Sequence, residues 1–238
     1  MIDKNRMPEV FARYGIDLTD EQMTRLDRYA ALLVEWNEKM NLTAITDPEG
    51  VLIKHFLESI LPFSFVQLPE GASLIDVGTG AGFPAIPLLI WRPDLKVTLL
   101  DSLKKRLTFL EEVLKECGLT ANIIHSRAED GGRNPALREK FDLATARAVA
   151  NLRELSEYCL PYVRSGGMFY ALKGMAYEEE ITDAEEAIHL LGGRLQEAKP
   201  YELPDGSGQR ALVCIKKISQ TSTKYPRNAA KMAKSPLK

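Results

Sequence analysis

The residues best equipped for chemistry lie in the run Asp76-Val77-Gly78-Thr79-Gly80-Ala81-Gly82-Phe83 and at Asp101, which closes a second apolar run ending in Leu99-Leu100. Small apolar residues running into a glycine turn predict a buried parallel strand. Three glycines at alternate positions predict backbone N–H groups left bare, where a ligand can approach closely. In a doubly wound sheet the acid at the end of the next strand sits beside that loop and can accept both hydroxyls of an adenosine ribose. The chemistry implied is the binding of a nucleoside cofactor.

The spacing bears on which cofactor. A dinucleotide loop reads G-x-G-x-x-G and turns a helix N-terminus toward a pyrophosphate. Here the third glycine comes one residue early, and Phe83-Pro84 occupy the positions closest to phosphate. Asp76, two residues ahead of Gly78, is expected at the mouth of the site, where it would repel a pyrophosphate but suit a cationic ligand with an amino-acid tail. S-adenosylmethionine fits that description, and D-x-G-x-G-x-G resembles the first motif of the class I methyltransferases. The competing reading is a glycine turn that serves only strand-to-helix packing, and the spacing to Asp101 weighs against it.

Ligands of open α/β sheets lie beyond the carboxyl ends of the strands. Five successive predicted strand ends carry polar or glycine residues: Asp76 with Gly78 and Gly80, then Asp101, Ala128-Glu129, Arg147 and Lys173-Gly174. Glu129, or the Ala128-Glu129 backbone, is placed to meet an adenine edge, and Phe83 to shield a methionine side. Arg147 suits a clamp on the cofactor's carboxylate or on a substrate phosphate. Its alternative is a buried pair with Asp76 or Asp142. Lys173 could assist a deprotonation, or pair with Glu58 or Asp142.

The elements that must position these residues can be read from periodicity. Residues 19–40 predict a helix with a Thr19/Gln22 capping box and a stripe of Met23, Leu26, Ala30, Leu33 and Met40. Asn41 is read as its C-terminal cap. A second helix at about 49–65 carries His55, Glu58 and Ser59. Strands are expected near 73–77, 96–100, 121–125, 141–145 and 167–172, alternating with helices as in a parallel sheet. The helix starting at Ser102 is expected to present Leu103, Leu107, Leu110, Leu114 and Cys117 to that sheet, with Lys104, Lys105 and Arg106 as a solvated face. After a helix at 176–191, segments near 194–203 and 210–217 form a closing antiparallel hairpin around Pro204-Asp205-Gly206-Ser207-Gly208. The expected organisation is a helical extension over 1–72, an α/β Rossmann-like domain over 73–217 and a basic tail over 218–238.

Composition narrows the classes. With 238 residues, 45% hydrophobic and 27% charged, the chain fits one α/β domain with additions. It has no apolar run long enough to cross a bilayer, and the opening Met1-Ile2-Asp3-Lys4-Asn5-Arg6 lacks a signal-like apolar stretch. A cytoplasmic protein is expected. Cys117, Cys159 and Cys214 read as reduced core thiols, and His55, His125 and His189 lack ligand spacing, so no metal is expected. From Lys216 onward stand seven basic residues and no acidic one, and removing them from the net charge of −2 leaves the body at −9. Such a tail reads either as an arm that orders on RNA phosphates or as a disordered solubilising tail.

Several stretches together resemble the RsmG (GidB) family over about residues 15–217: Trp36-Asn37-Glu38-Lys39-Met40-Asn41-Leu42-Thr43, His55-Phe56-Leu57-Glu58-Ser59, the glycine loop through Pro84, Leu99-Leu100-Asp101-Ser102-Leu103 with Lys105-Arg106, Arg147-Ala148-Val149-Ala150 and Leu172-Lys173-Gly174. The resemblance implies a class I fold and transfer of a methyl group from S-adenosylmethionine to guanine N7 at nucleotide 527 of 16S rRNA in the small ribosomal subunit, by a monomer. It places cofactor contacts on Gly78, Phe83, Ala128, Glu129 and Arg147. Glu58 stands where the family usually shows Asp, and Ala85 where it usually shows Gly; the tail too is less basic than usual. Guanine N7 offers an in-plane lone pair and carries no proton, so attack on a sulfonium methyl needs no general base, and positioning is expected to carry catalysis. Duplex RNA hides N7 in a deep groove, so the target belongs in a loop or another accessible fold. Rival readings are transfer to a ribose 2′-oxygen, a nicotinamide-dependent oxidoreductase and a non-catalytic assembly factor.

Overall fold

The computed structural model describes residues 2, 3 and 5–237. Met1 and Lys4, in the opening segment read above, and Lys238, the last basic residue of the tail, lie outside the described residues. Helix α1 (Arg6–Ala12) precedes α2 (Asp20–Met40). The capping box of α2 forms as expected: the Gln22 N–H donates to Thr19 Oγ1 at 3.2 Å and the Thr19 N–H to Gln22 Oε1 at 2.9 Å. Asn41 ends α2 in the left-handed region at φ 49°. The next helix is wound in three pieces, α3 (Pro48–Gly50), a π-helical segment (Val51–Leu57) and α4 (Glu58–Ser64). The expected single helix is present, but its centre is widened where His55 sits.

Strands β1 (Ser73–Val77), β2 (Lys96–Asp101), β3 (Asn122–His125), β4 (Phe141–Arg147), β5 (Val163–Lys173), β6 (Gly193–Glu202) and β7 (Gln209–Lys217) form one sheet in the order β3-β2-β1-β4-β5-β7-β6. The first five run parallel, and β7 lies antiparallel between β5 and β6. The hairpin is therefore the expected one, with its second strand inserted into the sheet. Between the strands lie α5 (Ala85–Trp91), α6 (Lys104–Glu116), the single turn α7 (Ala128–Gly131), α8 (Leu152–Cys159) and α9 (Tyr177–Leu190). Helix α6 buries Leu107, Leu110, Leu114 and Cys117, but Leu103 precedes its first turn and is 43% exposed, so it does not face the sheet as expected.

One apolar cluster unites Phe11, Leu33 and Phe56 of the N-terminal helices with Leu74, Leu99 and Leu212 of the sheet. A second cluster on the other face joins Ile75, Leu155, Tyr162 and Ile188. Burial of this apolar surface, at roughly 25 cal/mol per Å², is the main force that fixes the helical extension to the sheet. The tail is folded: α10 (Ala229–Lys234), capped by Asn228, ends a strap whose Tyr225 and Leu237 join the second cluster. The disordered-tail reading is thereby overturned. The basic residues here are partly committed, since Arg227 of the strap pairs with buried Glu157 at 2.7 Å and Lys217, the last residue of β7, is fully buried.

Candidate active site

The sheet reverses its strand order between β1 and β4, and the crevice there opens at their carboxyl ends. A cavity of about 430 Å³ lies at that edge, lined among others by Gly78, Asp101, Ala128, Glu129 and Val149. Four of the expected cofactor residues thus meet in one cleft. Gly78 adopts φ 74°, and a Cβ there would lie 2.9 Å from the Val149 side chain, so the position requires glycine twice over.

The glycine loop differs from expectation in its hydrogen bonding. The Gly78 and Thr79 N–H groups both donate to the Leu100 carbonyl, at 2.9 and 3.0 Å, and the Gly82 N–H to Thr79 O at 2.8 Å. The Gly80 N–H donates to Asp101 Oδ2 at 2.9 Å. These N–H groups are spent on shaping the loop rather than left bare for a ligand. Gly80 thus serves the cleft through Asp101 and does not line it. Asp101 also accepts from the Leu103 N–H at 2.8 Å and from Arg106 Nη1 at 3.5 Å. A carboxylate has about four lone-pair positions, so Asp101 has room for one ribose hydroxyl as it stands, and for the expected two only when Arg106 swings away.

Asp76 is not at the mouth. It is fully buried beneath the loop, where Oδ2 accepts from Thr79 Oγ1 at 2.7 Å and Oδ1 has no partner. The physical reason lies in the strand: β1 is central in the sheet and packed on both faces, Leu74 in one apolar cluster and Ile75 and Val77 in the other, so a side chain at position 76 is buried whichever face it takes. Burial pushes its carboxyl up to about 7, against the opposing pull of Thr79 and Arg147.

Phe83 and Arg147 are not in that cleft: Arg147 lines a different space, and Phe83 packs behind it and lines neither. Phe83 is buried, stacked on His55 with ring centroids 4.3 Å apart, and the Arg147 guanidinium lies 4.9 Å from its centroid. Arg147 pairs with neither Asp76 nor Asp142. Its Nη1 donates to Glu58 Oε2 at 3.1 Å and to the Lys54 carbonyl, at 3.0 Å, in the π-helical turn. Glu58 Oε1 in turn accepts from Arg210 Nε at 2.6 Å. His55 Nδ1 faces Arg147 Nη2 at 3.4 Å and Nε2 faces Thr43 Oγ1 at 2.8 Å. Since guanidinium only donates, Nδ1 is the acceptor and Nε2–H donates to Thr43. Burial, reinforced by Arg147, lowers His55 to about 4.

Lys54, His55, Glu58, Arg147 and Arg210 line a second cavity of about 460 Å³, together with Lys173 and Met175. Ala148 borders both cavities and holds φ 56°, an uncommon conformation for a residue with a Cβ. Lys173 pairs with Glu180 at 2.6 Å and donates to Ala150 O at 2.9 Å, not with Glu58 or Asp142. Arg210 and Glu180 had no signal in the sequence, because what places them is the antiparallel pairing of β7 with β5 and the salt bridge from α9 to Lys173 at the end of β5. Among the described residues no group of His, Cys, Asp and Glu is placed to hold a metal ion, and no helix is long and apolar enough to cross a membrane.

Strand order and cleft together define a class I S-adenosylmethionine-dependent methyltransferase fold. Among solved structures, TrmN from Thermus thermophilus aligns with a TM-score of 0.52 at 19% identity, over 70% of this chain and 53% of that one. A SAM-dependent O-methyltransferase from Thermotoga maritima aligns at 0.51 and 15% identity, over 80% and 72%. The chain belongs to the GidB family, rRNA small subunit methyltransferase G, whose pattern matches residues 22–213. Ribosomal RNA small subunit methyltransferase G of Brevibacillus brevis is 48% identical over 235 residues, 98% of this chain and 99% of that protein. Its counterpart in Clostridium botulinum strain Eklund 17B is 51% identical over 225 residues, 94% of each chain.

Proposed function

We propose that this protein transfers the methyl group of S-adenosylmethionine to N7 of guanine 527 in 16S rRNA of the small subunit, as a cytoplasmic monomer. The helical extension (1–72) and the α/β domain (73–217) together build its site. The observation that carries the reading is that, among the described residues, the second cavity has no free proton acceptor. Glu58 is held by two guanidiniums, Lys173 by Glu180 and Ala150, Lys54 by Asp205 at 3.3 Å, and His55 hydrogen-bonds on both ring nitrogens. An acceptor without a proton to lose suits such a cavity, whereas a ribose hydroxyl would need one of these groups released.

The first cavity fits the cofactor. Buried Asp101 lines it with one acceptor position left unfilled by its three donors, and Gly78, Ala128 and Glu129 line it too. When bound there, the cofactor supplies an electrophilic methyl on a sulfonium. Asp101 would accept a ribose hydroxyl there, and the Ala128-Glu129 turn would receive the adenine edge. Phe83, locked by stacking on His55 and Tyr29, fixes the floor on which Arg147 rests. Arg147, held on one side by Glu58, keeps Nη2 directed toward His55 and the cavity between them. These groups orient two reactants, which is the contribution in-line transfer to a free lone pair requires.

The test is methyl transfer from labelled S-adenosylmethionine to small subunits lacking the modification, with the nucleotide mapped by mass spectrometry. The reading expects 7-methylguanine at nucleotide 527. Label on a ribose, on another base, or on no RNA would replace it.

A further inference from the structure

The C-terminal strap grips both walls of the first cavity. On one side Arg138 binds four carbonyls: Gly132 at 2.9 Å, next to α7, and Tyr225, Thr221 and Ser222 of the strap at 2.8, 2.6 and 3.2 Å. Pro226 lies against Gly132, where a Cβ would come within 3.1 Å of its ring. Tyr162 secures the same turn by donating to the Ala128 carbonyl at 2.6 Å. On the other side Arg227 forks onto Glu157 of α8, with Nε to Oε1 at 2.9 Å, Nη2 to Oε2 at 2.7 Å and its backbone N–H to Oε1 at 2.7 Å. Neighbouring Glu154 and Tyr158 of α8 line the cavity opposite Ala128 and Glu129.

The root of the strap is fixed as firmly. Lys217, with no exposed surface, donates to the Leu160 carbonyl and to Thr221 Oγ1, both at 2.6 Å, and lies 3.3 Å from Glu139 Oε1. Glu139 Oε1 also accepts the Thr221 N–H at 2.8 Å. A carboxylate as buried as Glu157 is tolerated only with a partner, so Arg227 is committed to α8 rather than available to solvent.

We infer that the strap over 218–237 is a positioning element for the cofactor, with Arg227 as the residue that sets α8 against α7 around the adenosine end. The inference rests on the proposed binding of S-adenosylmethionine in the first cavity. Neither Arg227 nor any other strap residue lines that cavity, so the effect passes through Glu157, Gly132 and the two helical turns they belong to. Releasing the strap lets the walls part, which weakens binding without altering the alignment of a cofactor already seated.

The experiment uses the full chain and S-adenosylhomocysteine as calorimetric probe, together with steady-state transfer to unmodified small subunits. Arg227→Gln is expected to raise the dissociation constant and the KM for S-adenosylmethionine about tenfold, with kcat at saturation within twofold of the parent and the KM for subunits unchanged. Arg227→Lys is expected to restore part of the affinity. Arg92→Gln, which breaks the Arg92–Asp94 pair at 2.7 Å far from the cavity, controls for general destabilisation and should leave the dissociation constant unmoved. Parental affinity in Arg227→Gln overturns the inference, as does an equal loss in Arg92→Gln. If Arg227→Gln does not fold, the charge-free pair Glu157→Gln/Arg227→Met takes its place with the same expected loss and the same refuting result. A parent protein that binds no S-adenosylhomocysteine would instead refute the reading on which the inference rests.

Discussion

Replacing Asp76 by Asn removes a buried acid while keeping its shape, and the consequence can be worked out from the protonation of the native state. The carboxyl is held at about 7 in the folded protein against 3.8 in an exposed chain, chiefly because burial disfavours its charge. Between those values the folded state binds more protons than the unfolded one. The stability this group contributes is therefore fully present below about pH 4 and is lost as pH rises through 7. At about 1.4 kcal/mol per unit, the difference in stability between wild type and D76N should shrink by about 3 kcal/mol from pH 5 to pH 8. Urea denaturation of both proteins across that range measures it, and taking the difference cancels the titration of all other groups. Two curves that run parallel would refute the assignment of a protonated Asp76.

Two glycines of the loop should separate function from folding. Gly78→Ala meets Val149 and a positive φ at the cleft, and should weaken S-adenosylhomocysteine binding at least tenfold while costing about 1 to 2 kcal/mol in urea. Gly82→Ala would put its Cβ 2.7 Å from both Ile86 and the Tyr29 hydroxyl at φ 100°, and should cost more than about 2 kcal/mol, or prevent folding. Glu58→Ala strands two largely buried guanidiniums and should destabilise by about 3 to 5 kcal/mol, whereas Glu58→Asp, the residue usual in the family, should cost far less by the same denaturation assay.

The alternation of apolar runs and turn residues made the sheet legible, because each strand and its neighbouring helix carry their own periodicity. The glycine loop and Asp101 were legible for the same reason: backbone geometry and strand spacing are local. Helix α8 was missed although Asn151 and Glu154 form a recognisable N-cap pattern before Leu152, Leu155 and Cys159; here the Asn151 side chain accepts from the Glu154 N–H. Partners were legible least. Arg147 finds Glu58 from 89 positions away, and Glu58 finds Arg210 across 152, and no local pattern distinguishes those acids from Asp76 or Asp142. The burial of Asp76 was misread because loop proximity in sequence was taken for exposure at the mouth, while β1 is a central strand covered on both faces, so that each side chain from Leu74 to Val77 is buried. The tail was misread because composition reports its charge but not the carboxylate and carbonyls waiting for Arg227 and Lys217.

The placement of β7 has a consequence for the order in which a growing chain becomes competent. The strand that enters the sheet between β5 and β6 is the last to be synthesised, and it brings Arg210 to Glu58 and Lys217 to the root of the strap. An emerging polypeptide that stops short of Gln209 has both cavities' upstream residues but lacks the second guanidinium on Glu58 and the buried lysine at the root of the strap. The constellation around Glu58 and the root of the strap is therefore completed only once β7 has entered the sheet.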